Sequence, residues 1–205
     1  MRIRQYLAYK KITLIVVLLI LLLTGSIFLN FKLFKFKETQ QNGYAQRISH
    51  AFSQLNLSIN QIDLLIQRLE NGTSPENTIS LLGDLEVSLS SAGDSFRLLD
   101  HDFMHYEAST YIIYSTLADF YRYVKADLTD GILLHEKDFK AAEMIAGLEI
   151  LRDDLSSFTH PFDESKLAGY DPGWIKLEWK KSLQEAIRNH PDFILHQRLS
   201  MKYVL

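Results

Sequence analysis

The chain has no cysteine among its 205 residues and only four prolines. The lack of cysteine excludes disulfides, thiolate metal ligands, a cysteine nucleophile and a lipid-modified N-terminal cysteine. A domain outside the cytoplasm without disulfides is more typical of bacteria than of an animal secretory pathway, where small domains are commonly cross-linked. The chain length allows one modest domain plus further segments.

Acidic residues are absent from the first 37 positions, which contain seven Lys and Arg residues. Residues 38–205 contain 15 basic and 25 acidic residues, so their net charge is −10. This acidic body argues against nucleic-acid binding, because phosphate contacts need clustered Lys and Arg. The sequence also has no glycine-rich phosphate-binding loop and no Gly-x-Ser-x-Gly motif. We therefore expect no catalytic residues, no cofactor and no enzymatic activity.

Charged residues are also absent from positions 12–31, a run of 20 residues that Lys11 and Lys32 bracket. At about 1.5 Å per residue, a helix of this length spans the roughly 30 Å hydrocarbon core of a bilayer. We predict a single transmembrane helix over this run. It follows a short N-terminal tail over 1–11 and precedes a juxtamembrane linker over 32–43.

The flanking charges predict the orientation of this segment. Four Lys or Arg residues precede it and three follow it, which favours a cytoplasmic N-terminus and places residues 38–205 outside the cytoplasm. The alternative is a signal peptide cleaved after Ser26. No Ala-x-Ala sequence precedes that site, and the apolar run continues through Ile27 and Phe28, so we favour an uncleaved signal anchor in the cell membrane.

The rest of the chain repeats apolar residues at alternating spacings of three and four, which predicts helices with one apolar face and packing like that of a coiled coil. The first stripe consists of Ala45, Ile48, Phe52, Leu55, Ile59, Ile62, Ile66 and Leu69. The second consists of Leu82, Leu85, Leu89, Ala92, Phe96, Leu99, Phe103, Tyr106, Thr110, Ile113, Leu117, Phe120 and Val124. The third consists of Ala141, Met144, Leu148, Leu151, Leu155 and Phe158.

Turn signals between the stripes delimit the expected helices. These signals are Asn71-Gly72, Ser74-Pro75, Thr129-Asp130-Gly131 and His160-Pro161. A further break near Asp100-His101-Asp102 has no Gly or Pro, so one long helix over 75–128 is an open alternative. With that break, the helices span about 44–70, 75–99, 103–129 and 137–159. Their similar lengths predict an all-α fold, an antiparallel bundle of about four helices within 44–160.

The composition changes in residues 161–205, which contain seven basic and six acidic residues. This segment predicts a loop followed by an amphipathic helical tail, with helices over Trp174–His190 and about Asp192–Lys202. We expect the tail to dock onto the acidic bundle through its tryptophan side chains and basic groups. The alternative is a helix that lies in the membrane interface.

Two sets of residues are weak candidates for a metal or catalytic site. His101 and His105 are four residues apart, a spacing that zinc-binding helices use, but no third ligand accompanies them. We therefore expect an ordinary histidine pair and no metal. Asp153 and Asp154 form an acidic pair, which we expect on a solvated helix face where nothing shifts their pKa values.

Tyrosines are concentrated between positions 103 and 123. Tyr111, Tyr114 and Tyr121 fall on the flank of the second stripe rather than in it. Such tyrosines can line a groove for a ligand or a partner, because one end of the side chain is apolar and the other forms hydrogen bonds. The alternative is that they fill the edge of a wide bundle core.

These features favour a membrane-anchored helical protein outside the cytoplasm that acts as a non-enzymatic interaction or regulatory module, through a protein partner or self-association. The first alternative is a small-molecule sensing domain, because the layout is similar to that of the membrane-proximal bundles of bacterial receptors. With one span, such a sensor would signal through a partner. The second alternative is a secreted helical protein whose signal peptide is cleaved.

Overall fold

A computed structural model describes residues 2–103, 110–134 and 140–203, with side chains from Val17 onward except at 101–103 and 164. All regular structure in these residues is helical, and they contain no strand, so the predicted all-α class is confirmed. The chain divides into two compact units, Met1–Gly43 and Tyr44–Leu205.

From Arg2 onward, the first unit is the N-terminal part of one long helix, α1 (Arg2–Glu70). From Val17 onward this helix contains a stretch long and apolar enough to cross a membrane, and none of that stretch is buried. The apolar side chains between Val17 and Phe36 are all exposed. Residues 32–43, predicted as a linker, are helical. A helix that is apolar on all sides is stable only where other apolar matter covers it, and the hydrocarbon of a bilayer does so.

Residues 44–70 of α1 form the first helix of the second unit, and the helix stops where the sequence predicts. Gly72 has a φ of +74°, a left-handed conformation that glycine adopts without a steric penalty. α2 (Pro75–Phe103) then begins with proline at its first position. The hydroxyl of Ser74 accepts a hydrogen bond from the Asn77 N–H at 3.5 Å, so this serine caps the new helix.

α2 and α3 (Tyr111–Arg122) form an antiparallel helical hairpin. The Thr110 hydroxyl donates to the Phe96 carbonyl at 3.0 Å, and its N–H donates to Asp100 Oδ1 at 2.8 Å. One long helix over 75–128 is therefore wrong. The break also lies after Phe103 rather than at 100–102, because Asp100 stays in α2 and holds the start of α3 from there.

The helical chain continues beyond Thr129-Asp130-Gly131, so the predicted stop is wrong. A π-helical segment, Tyr123–Thr129, follows α3 directly, and α4 (Asp130–Leu134) follows that segment. Two observations explain the continuation. Gly131 does not adopt a positive φ, unlike Gly72, and Ile132 is buried, so core packing stabilises one more helical turn.

Three further helices complete the second unit: α5 (Ala141–Thr159), α6 (Pro172–Asn189) and α7 (Ile194–Lys202). A 3-10 helix, Glu164–Gly169, lies between α5 and α6. Asp171 caps α6 by accepting a hydrogen bond from the Trp174 N–H at 3.1 Å.

The C-terminal tail packs into the core of this unit, as predicted. Trp179 of α6 is fully buried. Its ring stacks on Phe158 of α5 with centroids 4.2 Å apart, and it lies 5.9 Å from the ring of Phe96 in α2. Leu195 and Leu199 of α7 are also fully buried. The tail therefore belongs to the folded unit rather than forming an appendage on it.

The apolar stripes predict the buried faces of the helices well, except that the buried face of α1 is shifted by one residue at Ser58. Every described side chain of the second stripe is buried. On α1, however, Ser58 is fully buried while Ile59 is only half-buried. A straight helix has 3.6 residues per turn, so its buried face drifts away from a strict 3.5-residue repeat. The hydroxyl of Ser58 forms a 2.7 Å hydrogen bond with that of Ser88, which satisfies both groups in the core.

Candidate functional site

A groove of about 580 Å³ is lined by residues from α1, α2 and α3. His50 of α1 and Tyr121 of α3 contribute to the lining from either neighbouring helix. Val87 and Leu98 of α2 are 70% and 39% exposed, so the groove offers apolar surface to a binding partner. The remaining lining residues also come from α2: Gly83, Glu86, Ser90, Ser91, Asp94 and Ser95.

The two carboxylates of the groove are each bonded to a cation outside its lining. Glu86 accepts a hydrogen bond from the Thr129 hydroxyl at 2.8 Å and lies 3.5 Å from Lys125 Nζ. The charge of Glu86 raises the pKa of Lys125 above its ordinary value. Asp94 accepts a hydrogen bond from Arg97 Nε at 3.1 Å. Apolar, hydroxyl and other uncharged groups make up the rest of the lining.

Ser91 and His50 lie together in the groove, but their geometry does not suit nucleophilic catalysis. Ser91 Oγ forms a long, 3.4 Å hydrogen bond with His50 Nε2. Asp94 bonds to Arg97 rather than orienting the imidazole. Ser91 also lies inside α2, where the backbone N–H groups are used within the helix and none is available for an oxyanion hole.

The three tyrosines predicted to line a groove do not all lie together. Tyr121 lines the groove described above and is half-buried. Tyr111 is 61% exposed, and its ring makes an edge-to-face contact with that of Tyr114 at 6.3 Å. Tyr114 packs against Gly93 of α2. The structure therefore brings Tyr111 and Tyr114 together at the start of α3, apart from the groove lining, and a binding role for any of the three stays a prediction.

The histidine pair of the sequence lies mostly outside the described residues. His101 belongs to α2, but its side chain and all of His105 are not described. Among the described residues, no group of three or more His, Cys, Asp or Glu side chains could hold a metal ion. The expectation of an ordinary histidine pair stays a prediction.

Asp154 is buried, which corrects the prediction that it lies on a solvated face. His196 of α7, itself fully buried, places its Nε2 2.6 Å from Asp154 Oδ2. Its Nδ1 donates to the His190 carbonyl at 2.9 Å. Since a carbonyl only accepts, Nδ1 has a proton, and a further proton lies between Nε2 and the carboxylate. Burial raises the pKa of Asp154, although the hydrogen bond from His196 opposes that shift.

The sequence contains only a weak signal for this pair. Asp154 directly precedes Leu155 and follows Leu151 by three residues, so it borders the third apolar stripe. His196 lies between Leu195 and Leu199, which are both buried. The pairing joins residues 42 positions apart, and local periodicity contains no information about such a distance. Asp153, by contrast, is exposed and bonds to Arg152, as the prediction requires.

Two ion pairs also join α7 to the rest of the unit. Arg198 forms a bidentate pair with Asp127 of the π-helical segment, at 2.5 and 2.9 Å. Lys202 Nζ lies 2.6 Å from Asp119 Oδ2 of α3, a carboxylate that is almost fully buried. These contacts match the expectation that basic groups of the tail meet acidic groups of the helices before it.

No protein-family model matches the chain, and no curated protein or solved structure is significantly similar to it.

Proposed function

We propose that the protein is a single-pass protein of a bacterial cell membrane, whose second unit lies outside the cytoplasm and binds another protein without catalysing a reaction. The observation that supports this most is the contrast between the two units. The first exposes an unbroken series of apolar side chains, while the second buries its apolar stripes in a compact core. The first unit therefore suits lipid and the second suits water.

The orientation in this proposal rests on the charges that flank the apolar run. Four basic residues precede it and three follow it, so the positive-inside rule favours a cytoplasmic N-terminus by a small margin. Within the second unit, we regard residues 44–70 of α1 together with α2, α3 and α5 as the four framework helices of an antiparallel bundle. α6 and α7 then pack onto this framework.

The groove on α2 is the proposed surface for the partner. Its apolar rim at Val87 and Leu98, its small residues and its hydroxyl groups suit an amphipathic helix, which buries its own apolar face in such a groove. Its carboxylates are already paired, so the partner needs no strong positive charge. In the groove, Asp94 bonds to Arg97 and does not orient His50, which favours this role over hydrolysis.

Photo-crosslinking of the full chain in native membranes tests this proposal. A photoreactive amino acid at Ser90 reports on the groove, and one at Met201, which is 80% exposed on α7, serves as the control for nonspecific contact. We expect a discrete crosslinked protein from position 90 only. Val87→Asp should abolish that product, because it places a charge on the apolar rim. Equal labelling from both positions, or a product that survives Val87→Asp, would contradict the proposal.

A small-molecule sensor is the second candidate, and the size of the groove favours it. A volume of about 580 Å³ lies within the roughly 300–1,000 Å³ typical of ligand pockets. A ligand that binds only the folded state raises the melting temperature by mass action. A screen of metabolites against the wild-type chain and a Tyr121→Ala variant would support this candidate if a compound stabilised the wild type alone.

A further inference from the structure

Two lysines near the end of the apolar helix lie over aromatic rings one turn earlier in the chain. Lys32 Nζ is 5.0 Å from the centroid of the Phe28 ring, and Lys35 Nζ is 5.3 Å from that of Phe31. Both distances fall within the range of a cation–π interaction. The two pairs are offset by three residues, so they lie beside each other on one face of the helix.

The direction of these side chains is unusual for a membrane boundary. Side chains of an α-helix tilt towards its N-terminus. At this end of the run, the N-terminal direction leads into the apolar segment, so each ammonium lies closer to the hydrocarbon than the backbone of its own residue. Lysines at a helix end normally extend towards water. In the structure, each ammonium lies over the ring one turn earlier instead.

A cation in this position needs an anion, and the chain has no carboxylate on the N-terminal side of either lysine, where the ammonium groups lie. The first acidic residue of the chain is Glu38. Among the residues that the structure describes, neither Lys32 nor Lys35 forms an ion pair with a carboxylate. The phosphate groups of lipids lie at the depth where an apolar helix leaves the hydrocarbon, and anionic lipids attract basic residues next to a membrane span.

We propose that Lys32 and Lys35, held on the rings of Phe28 and Phe31, form a binding surface for the headgroups of anionic phospholipids in the outer leaflet, the side on which the proposed orientation places them. This inference rests on the proposed membrane anchoring. The two ammonium groups contact lipid phosphate, and the phenyl rings fix their depth. The remaining basic residue after the apolar run, Lys37, adds positive charge but does not fix the depth of the binding surface.

The test uses the full chain reconstituted in vesicles of equal parts phosphatidylcholine and phosphatidylglycerol. Flotation first establishes that the chain is in the membrane, and native mass spectrometry then counts the lipids of each class that stay bound. Juxtamembrane lysines favour anionic lipid by about fivefold each. We therefore expect enrichment of phosphatidylglycerol in the wild type and a loss of most of it in Lys32→Gln/Lys35→Gln.

A matched pair of double variants isolates the role of the rings. Phe28→Leu/Phe31→Leu removes the two rings beneath the lysines and keeps the charge, whereas Phe34→Leu/Phe36→Leu makes the same chemical change in the same segment. The first should reduce the enrichment and the second should preserve it. Equal effects of the two, or enrichment that survives Lys32→Gln/Lys35→Gln, would overturn the inference while leaving the anchor intact. A chain that fails to float would overturn both proposals.

Discussion

His196 and Asp154 depend on each other because each is buried without access to water. The imidazole uses both nitrogens, one towards the His190 carbonyl and one towards the carboxylate. Removing either partner leaves the other in a site of low dielectric without its hydrogen bond, and a buried group in that state is costly. The pair also links α5 to α7, and it supports the position of the last helix together with the two ion pairs of Arg198 and Lys202.

The first prediction concerns the loss of this pair. His196→Ala should lower the free energy of unfolding of residues 38–205 by about 3–5 kcal/mol, because it leaves Asp154 buried and unpaired. Urea denaturation measures the effect. Asp153→Asn, which changes the exposed neighbour, is the control and should stay within about 0.5 kcal/mol of the wild type. A small effect of His196→Ala would mean that water reaches Asp154.

The second prediction is the pH dependence of stability. Burial raises the pKa of Asp154 above its ordinary value of 3.8, so the folded state binds this proton more tightly than the unfolded state does. The corresponding stability is fully present below pH 3.8 and is lost as the pH rises through the folded pKa. Urea titrations between pH 4 and pH 8 should show this decline.

Asp154→Asn should remove that part of the pH dependence, because asparagine does not titrate. Asp163 provides an internal contrast. Hydrogen bonds from Ser165 and Lys166 lower its pKa to about 2, so its contribution is present above pH 3.8 and is lost only as the pH falls through about 2. The two groups therefore affect stability in separate pH ranges. If Asp154→Asn leaves the slope of the unfolding free energy between pH 4 and pH 8 unchanged, that slope does not come from Asp154.

At the scale of single helices, α1 shows how far the heptad pattern predicts burial. Ile62 is fully buried, but Ile59, in the same predicted stripe, is only half-buried. Ile62→Ala should therefore cost about 2–5 kcal/mol, and the same change at Ile59 clearly less, because less apolar area and a smaller cavity are involved. Thermal or urea unfolding compares the two variants directly. Equal costs for the two variants would mean that Ile59 and Ile62 are equally buried, as a strict 3.5-residue repeat requires.

α6 contributes its own prediction because it contains the largest fully buried side chain. Trp179 lies between Phe158 and Phe96, so Trp179→Ala should cost about 3–5 kcal/mol. Leu177 is on the same helix and is 57% exposed, so Leu177→Ala should stay close to the wild type. If both variants melted like the wild type, α6 would be peripheral to the core.

Local patterns in the sequence predicted these helices but not every contact between them. The second stripe keeps its spacing from Leu82 to Val124, and its described residues in both arms of the α2–α3 hairpin face one core, so the stripe alone did not distinguish a hairpin from one long helix. The end of α4 depends on the burial of Ile132, and packing overrode the turn signal of Gly131. The flank position of Tyr121 agrees with its place in the lining of the groove, and its binding role stays a prediction. The contacts of His196 join distant parts of the chain and left no such local pattern.

At the scale of the whole molecule, the chain combines two units of opposite surface chemistry. The first exposes apolar side chains between Val17 and Phe36 and has no acid before Glu38. The second contains nearly all the acidic residues of a body with net charge −10, and its ion pairs with α7 use some of them internally. Hydrocarbon stabilises the first kind of surface and water the second, which is the physical basis for proposing that the first unit lies in a membrane.

The last prediction is that the mature protein keeps this segment and exposes the second unit on the outer side of the membrane. Protease added to intact cells should digest residues 38–205, while an N-terminal tag stays protected in the membrane fraction. Thr24→Ala/Ser26→Ala introduces the Ala-x-Ala sequence that signal peptidase prefers, so this variant should release a soluble chain that begins at Ile27 and shows that the site is accessible. Because the wild type lacks that sequence, its N-terminus should stay intact. A wild-type chain beginning at Ile27 would instead make the protein a secreted one.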